Sequence, residues 1–108
     1  MTPLPVAASQ SIPRFDWAMS LEVGEHLPTA CVSLYCRLLN SVARRGLILS
    51  WAPAGQNGRC HVSGRDASWV ADTFGALGWS IQRPLTARAR NASRFEWLRR
   101  NTFVLVRR

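Results

Sequence analysis

The 108-residue sequence predicts an α/β fold with the element order strand, helix, strand, helix, strand, strand. Short apolar runs at residues 15–21, 47–51 and 102–106 have the length of buried strands, and apolar residues recur at helical spacing between the first two runs. Right-handed crossovers make the first three strands parallel neighbours. The last strand is expected to be antiparallel, and helices are expected to cover the sheet in a three-layer arrangement.

The first predicted strand, residues 15–21, is expected to be covered on both faces, as strands of parallel sheets are. Ala18 and Ser20 are small enough to lie under a helix. The large apolar side chains at alternate positions are predicted to face a core: Phe15, Trp17, Met19 and Leu21.

Two amphipathic helices are predicted to follow the first and second strands. The first begins with Thr29 as its N-cap, and Gly46 is its expected stop. Its predicted apolar stripe is Cys31, Leu34, Tyr35, Leu38, Leu39 and Val42. The second helix follows a capping-box pattern that starts at Ser63, and Gly78 ends it. Its apolar positions are Ala67, Val70, Ala71, Phe74 and Leu77.

The end of the chain combines a weak helical pattern with a strong strand pattern. Residues 79–83 are the third strand candidate, and Pro84 ends this run. Residues 85–94 are good helix formers with little apolar pattern, and residues 95–98 suit a short helical turn. The β-rich run at 102–106 is predicted to form an edge hairpin with the third strand.

The charge of the chain is strongly positive. The net charge is +8, and every basic residue is arginine. Such a chain is expected to bind polyanions non-specifically at low salt. One arginine cluster is interleaved with Phe95 and Trp97 and suits nucleic-acid binding by charge and stacking, although a solvated face is the favoured interpretation. Its members are Arg88, Arg90, Arg94, Arg99 and Arg100.

The three cysteines do not indicate a disulfide framework, and no metal site is expected in this chain. Cys31 and Cys36 fall on or near a helical stripe and are expected to pack, whereas Cys60 and His61 are adjacent with no Cys-x-x-Cys pair to complete a zinc site. A reducing cytoplasm is therefore the expected location. No run reaches the length of a transmembrane helix, and residues 1–13 are expected to be a disordered lead-in without a secretory signal.

Residues 14–108 carry a family resemblance in two ordered motifs. The first is Phe15-Asp16-Trp17-Ala18-Met19-Ser20-Leu21-Glu22-Val23-Gly24-Glu25-His26, and the second runs from Leu47-Ile48-Leu49-Ser50-Trp51-Ala52-Pro53 to Gly55-Gln56-Asn57-Gly58 and His61-Val62. They resemble the fourth and fifth strands, with their loops, of class I S-adenosylmethionine-dependent methyltransferases. Ala54, Asn57 and Ser63 depart from the related subgroup's proline, glycine and asparagine. The resemblance covers only the second half of that family's domain.

This resemblance implies S-adenosylmethionine as the cofactor and methyl transfer to an unknown acceptor. A glycine-rich turn and a ribose-binding acid are expected before the first strand, but residues 1–13 contain neither a glycine nor an acid. The chain therefore resembles a truncated domain, and weak or no cofactor binding is expected of it alone. Its first strand becomes an edge with unpaired amides, which favours self-association.

Ligands of open α/β sheets bind at the carboxyl ends of strands, so the candidate site lies after residues 21 and 51. The candidate catalytic residues are Glu22, Glu25, His26 and His61, of which Glu25 and His61 are expected to converge. The candidate substrate-binding residues are Ser50, Trp51, Gln56 and Arg59. Other roles remain open: Glu25 near a helix start, His26 as a packing residue, and Trp51 as a core residue.

The sequence thus predicts a methyltransferase-like half-domain that is inactive alone. Two other classes of protein remain as alternatives. One is a small basic nucleic-acid-binding module, which the arginine cluster would explain. The other is an interaction protein that completes its sheet with a partner strand.

Overall fold

An open four-stranded sheet with the strand order β1-β2-β4-β3 organises the chain in this computed structural model, which describes residues 12–55 and 61–108. A short 3-10 turn at Gly24–His26 follows β1. The strands are β1 (Phe15–Leu21), β2 (Ala43–Ser50), β3 (Trp79–Ile81) and β4 (Thr102–Arg107). The helices are α1 (Thr29–Val42), α2 (Ala67–Ala76), α3 (Arg83–Ala92) and α4 (Glu96–Asn101). The predicted α/β order is confirmed, with the two helices α3 and α4 lying between the last two strands.

Strands β1 and β2 are parallel neighbours, as predicted. Ala18 pairs with Leu47, and Leu21 pairs with Ser50 at the ends of the two strands. Since both strands run the same way, the residues that follow Leu21 and Ser50 meet at one edge of the sheet. In the described part of the chain, β1 pairs only with β2 and is an edge strand, which the sequence also predicted.

The prediction that β4 forms an edge hairpin with β3 is wrong in one respect. The two strands do pair antiparallel, but β4 lies between β2 and β3, and β3 is the outer strand. β3 is therefore parallel in direction to β2 without being its neighbour. The apolar run Thr102–Leu105 is buried, so both of its edges need hydrogen-bonding partners, whereas β3 contributes only three residues.

Helix α3 explains why β3 is so short. The predicted strand 79–83 ends at Ile81, because Arg83 already begins α3 and Pro84 occupies its first turn. The helix lies along β4 beyond the end of β3. The Thr86 hydroxyl accepts a hydrogen bond from the Val104 amide at 3.0 Å, and side-chain groups of α3 thereby replace a paired strand.

The apolar stripe of α1 is rotated relative to the predicted one. Leu34 and Leu38, which were expected to be buried, are exposed, as is Cys31. The helix also ends at Val42, so Gly46 lies within β2 instead of stopping the helix, and Thr29 is the first helical residue after Pro28. The buried stripe consists of Val32, Cys36 and Leu39, with Tyr35 half-buried beside it.

The core lies between the sheet and the helices α1 and α2. Val70 and Phe74 of α2 pack there with Leu47, Leu49 and Trp79 of the sheet. Arg107 ties β4 to the end of α1. Its guanidinium donates to the carbonyls of Asn40 at 2.9 Å and Ala43 at 2.6 Å and lies 4.1 Å from the ring centre of Trp79. Burial, with Arg14 as a second cause, lowers the pKa of Arg107.

The two faces of β1 differ sharply. Ala18 packs against the core and Ser20 hydrogen-bonds the Tyr35 hydroxyl, so the face with small residues lies under α1 as predicted. The prediction that the large apolar residues of β1 face a core is wrong. These side chains are exposed on the opposite face: Phe15, Trp17, Met19 and Leu21. No helix among the described residues is long and apolar enough to span a bilayer.

Candidate functional site

The turn after β1 is fixed to the end of β2. The Glu22 amide donates to the Ser50 hydroxyl at 2.7 Å, and the Ser50 hydroxyl in turn donates to the Glu22 carboxylate at 3.1 Å. Glu22 has a φ of +53°, a left-handed conformation that is uncommon outside glycine. The two bonds to Ser50 hold this strained residue in place, so Ser50 acts on the site through Glu22.

The 3-10 turn packs closely on a buried tryptophan. A Cβ atom on Gly24 would lie 2.5 Å from the Trp51 ring, so the turn reaches this position only with glycine. Trp51 is 1% exposed, and its ring nitrogen donates to the Ser63 carbonyl at 2.8 Å. Trp51 is therefore a core residue, which was the alternative to ligand stacking.

Glu25 points inward from this turn and is 0% exposed. One carboxylate oxygen, Oε1, accepts a hydrogen bond from the Ala52 amide at 3.3 Å, and the Glu25 carbonyl accepts one from the Ser63 amide at 2.9 Å. The other oxygen, Oε2, is buried without a hydrogen-bond partner and lies 3.8 Å from Nε2 of His26. A buried carboxylate oxygen without a hydrogen bond is costly, and a bound water or ion is one way to satisfy it.

His61 joins the cluster from the loop that follows β2. Its ring lies edge-on to that of His26, with 4.7 Å between ring centres, and its Nδ1 is buried without a hydrogen-bond partner. Ligand atoms of Glu25, His26 and His61 all lie within 4.8 Å of one another. The expected convergence of Glu25 and His61 is thus observed, while the chemical roles of these residues remain predictions.

The carboxylate of Glu22, beside that of Glu25, makes the electrostatic potential of the cleft more negative. Burial, followed by the neighbouring Glu25 carboxylate, raises the pKa of Glu22. A carboxylate with a raised pKa is a stronger base than an ordinary glutamate, which suits proton transfer near neutral pH. Glu22 is half-buried, so the cleft remains open to solvent at this position.

The sequence did not reveal the residues that hold this cluster together. The sequence predicts a helix-capping role for Ser63, yet its hydroxyl donates to the Leu27 carbonyl at 2.5 Å and its amide donates to the Glu25 carbonyl. No spacing rule links a serine to a turn 36 residues earlier. The candidate substrate-binding residues Gln56 and Arg59 lie outside the described residues.

Two crystal structures of one enzyme share this fold. Magnesium protoporphyrin IX methyltransferase (ChlM) from Synechocystis PCC 6803 with bound SAH matches with a TM-score of 0.61 and 25% sequence identity. The same enzyme with bound SAM matches with a TM-score of 0.58 and 27% identity. Both matches cover 92% of this chain but only 48% and 42% of the ChlM chains. The sequence matches no protein-family model and no curated protein.

The chain therefore has the fold of a class I S-adenosylmethionine-dependent methyltransferase, as the sequence resemblance predicted. It spans less than half the length of the structures that it matches.

Proposed function

We propose that this chain is the C-terminal half of a methyltransferase-like domain in which Glu22, Glu25, His26 and His61 position a methyl acceptor and take its proton. The observation that supports this most is the convergence of Glu25, His26 and His61 at the carboxyl ends of two parallel strands. Ligands of open α/β sheets bind at such an edge. Imidazole and raised-pKa carboxylate groups are the usual bases for an oxygen or nitrogen acceptor.

The cofactor of the complete domain is proposed to be S-adenosylmethionine, since the fold is shared with an enzyme crystallised with SAM and with SAH. Residues 14–108 form the half-domain in this proposal, and residues 1–13 a lead-in. A half-domain offers one wall of the cleft, so the chain alone is expected to bind S-adenosylmethionine weakly or not at all. Isothermal titration of the isolated chain is the direct measurement, and a low-micromolar constant would contradict this expectation.

Nuclear magnetic resonance can test whether the strand-end cleft is where a weak ligand binds. At millimolar S-adenosylhomocysteine, we expect amide shifts at the turn Gly24–His26 and at Ala52 and His61. His61→Ala should abolish these shifts, whereas Arg94→Ala, on an exposed segment between α3 and α4, should leave them unchanged. Shifts confined to another surface would count against the proposed site.

The exposed face of β1 favours a second function, an interaction protein that completes its sheet. Two copies of β1 paired antiparallel would satisfy the edge amides, but both sets of apolar side chains would remain on one uncovered face. A partner that supplies a strand together with a covering helix buries them as well, which is how parallel sheets are normally covered. We propose this kind of partner, with weak self-association in its absence.

Sedimentation over a range of concentrations tests the self-association. Met19→Lys puts a charge on the exposed face of β1, where Met19 is 63% exposed, and should keep the chain monomeric. Leu34→Lys is the matched control, because Leu34 is 64% exposed on α1 rather than on β1, and should leave the association unchanged. A wild-type chain that is monomeric at every concentration would exclude self-association through β1.

The arginine cluster gives less support to the nucleic-acid alternative. The Arg90 guanidinium donates to the Thr102 carbonyl at 2.7 Å, and Arg100 lies 3.8 Å from Glu96. Phe95 and Trp97 are exposed but stack on each other, with ring centres 4.8 Å apart. Part of the cluster thus supports α3 and α4, and a cytoplasmic methyltransferase half-domain remains the preferred proposal.

A further inference from the structure

The strand-end cluster has the chemistry of a metal site. The donor atoms are one carboxylate oxygen of Glu25 and one ring nitrogen each of His26 and His61, all within 4.8 Å of one another. We propose that these three residues bind one divalent transition-metal ion. Metal binding by the isolated chain is measured without methyl transfer, so this proposal and the proposed function, which share the cleft, can fail independently.

Two imidazoles and one carboxylate select for particular ions. Zinc takes this ligand set in catalytic sites, where three protein ligands leave a fourth position open. Magnesium and calcium prefer oxygen ligands, and a site with two nitrogen donors disfavours them. The chain's positive charge does not oppose binding locally, because Glu22 and Glu25 place two carboxylates at this point.

Two buried atoms of the cluster lack hydrogen-bond partners within the described residues. One is Oε2 of Glu25, whose side chain is fully buried, and the other is Nδ1 of His61. A carboxylate oxygen or an imidazole nitrogen that is buried without a hydrogen bond is costly. A metal ion bound by these residues would offset that cost. If the residues served only for packing, the cost would have no explanation.

The geometry requires a modest closure of the cluster. Ligand atoms around tetrahedral zinc lie about 3.3 Å apart, so the widest pair must approach by about 1.5 Å. Glu25 is held at its other oxygen by the Ala52 amide and provides the fixed ligand. The His26 side chain is 42% exposed, and a change of rotamer can bring its ring nitrogen closer to the Glu25 carboxylate and the His61 ring that it already contacts.

A metal ion at this position would give the cleft a defined chemistry. Its open position would take an oxygen of the acceptor and make that oxygen easier to deprotonate. Glu22 is a neighbour of Glu25 and lies outside the three-residue ligand set. The proposed acceptor would then be a metal-binding hydroxyl compound.

Equilibrium dialysis of the folded chain against Zn²⁺ tests the site, with circular dichroism to verify folding of each variant. Wild type is expected to bind one ion per chain. His26→Ala and His61→Ala should each weaken binding by about tenfold or more. The matched control for Glu25→Gln is Glu96→Gln. Because Glu96 is exposed on α4, the Glu96→Gln variant should bind the ion like wild type. Co²⁺ should show the visible absorption of a four-coordinate ion in wild type and lose it in the two histidine variants.

Thiol coordination is the competing explanation of any Zn²⁺ binding. Cys31→Ser and Cys60→Ser should therefore leave the stoichiometry and affinity unchanged. If Glu25→Gln fails to fold, His26→Ala decides, since His26 lies at the mouth of the cleft. Unchanged binding in both histidine variants, loss of binding in the cysteine variants, or a folded wild-type chain that binds no ion would each overturn the proposal.

Discussion

Gly24 is the residue where backbone and core meet most closely in the candidate site. Gly24→Ala would place a methyl group 2.5 Å from the Trp51 ring, which is buried and hydrogen-bonded to Ser63. Because this ring has no room to move, we expect a destabilisation of about 1–3 kcal/mol. Urea unfolding followed by tryptophan fluorescence measures it, and the turn that carries Glu25 should be displaced as well.

Gly75→Ala is the matched control for this substitution. A Cβ atom on Gly75 meets nothing within 4 Å, and the residue lies within helix α2. Alanine favours a helix over glycine, so this variant should be neutral or more stable by about 0.5–1 kcal/mol. Equal losses of stability in the two variants would show that crowding against Trp51 is not the cause.

Burial raises the pKa of the Cys36 thiol to about 11. The thiolate is the reactive form, so at pH 8 about a thousandth of Cys36 is reactive. We expect iodoacetamide to label the exposed Cys31 and to spare Cys36 in a Cys60→Ser background, as peptide mass spectrometry would show. The pKa of Cys36 in the folded chain lies above the reference value of 9.0, so between these two values the unfolded chain ionises the thiol and the folded chain does not. The stability that the neutral, buried thiol contributes is therefore present below pH 9 and is lost as the pH rises to 11. Rapid labelling of Cys36 at pH 8 in the folded chain would contradict its burial.

At the residue scale, the sequence pointed to the acids and histidines of the cluster but not to their support. Glu25 and His61 follow two strands that patterning identified, so their proximity follows from parallel pairing alone. The positive φ of Glu22 and the bonds from Ser63 to both loops depend on tertiary contacts, which no local spacing encodes.

Helix α3 stabilises the uncovered edge of β4 through the Thr86 hydroxyl as well as the Arg90 guanidinium. Thr86 is buried; its side chain accepts from the Val104 amide at 3.0 Å and donates to the Val104 carbonyl at 3.4 Å. Thr86→Val keeps the shape but removes the hydrogen bond, so we expect a loss of about 1–3 kcal/mol and faster hydrogen exchange of the Val104 amide. Urea unfolding and exchange measured by nuclear magnetic resonance provide the two readouts.

Thr86→Ser retains the hydroxyl and is the control for lost packing. It should preserve the slow exchange of the Val104 amide and most of the stability. If Thr86→Ser is as damaging as Thr86→Val, the methyl group rather than the hydroxyl stabilises this contact.

At the element scale, the sequence predicted the type and order of the elements, but it did not predict which elements lie next to one another. The buried stripe of α1 differs from the predicted one because Leu34 and Leu38, although they recur at helical spacing, lie on the exposed side of the helix. β4 was placed at the edge because sequential strands usually neighbour one another. Its insertion between β2 and β3 depends on pairing with a strand some 55 residues earlier, as in the pairing of Ile48 with Val104.

For the whole molecule, the half-domain proposal accounts for both the exposed face of β1 and the partial coverage of the ChlM structures. Alternation in residues 15–21 correctly predicted a strand with one apolar face, and the inference that this face is buried failed because nothing in the described chain covers it. Periodicity reports that a surface is suited to burial, and it does not report whether the covering layer belongs to the same polypeptide.

The net charge of +8 predicts a binding behaviour that belongs to the whole chain. We expect single-stranded oligonucleotides of unrelated sequence to bind with similar affinity at about 50 mM salt and to lose most of it by about 200 mM, because binding releases counterions. Fluorescence anisotropy measures both dependences. Polyglutamate should compete with the oligonucleotides if charge alone attracts them, since it offers no bases to stack. A clear sequence preference, or affinity that persists at high salt and resists polyglutamate, would favour a dedicated nucleic-acid-binding module over the half-domain proposed here.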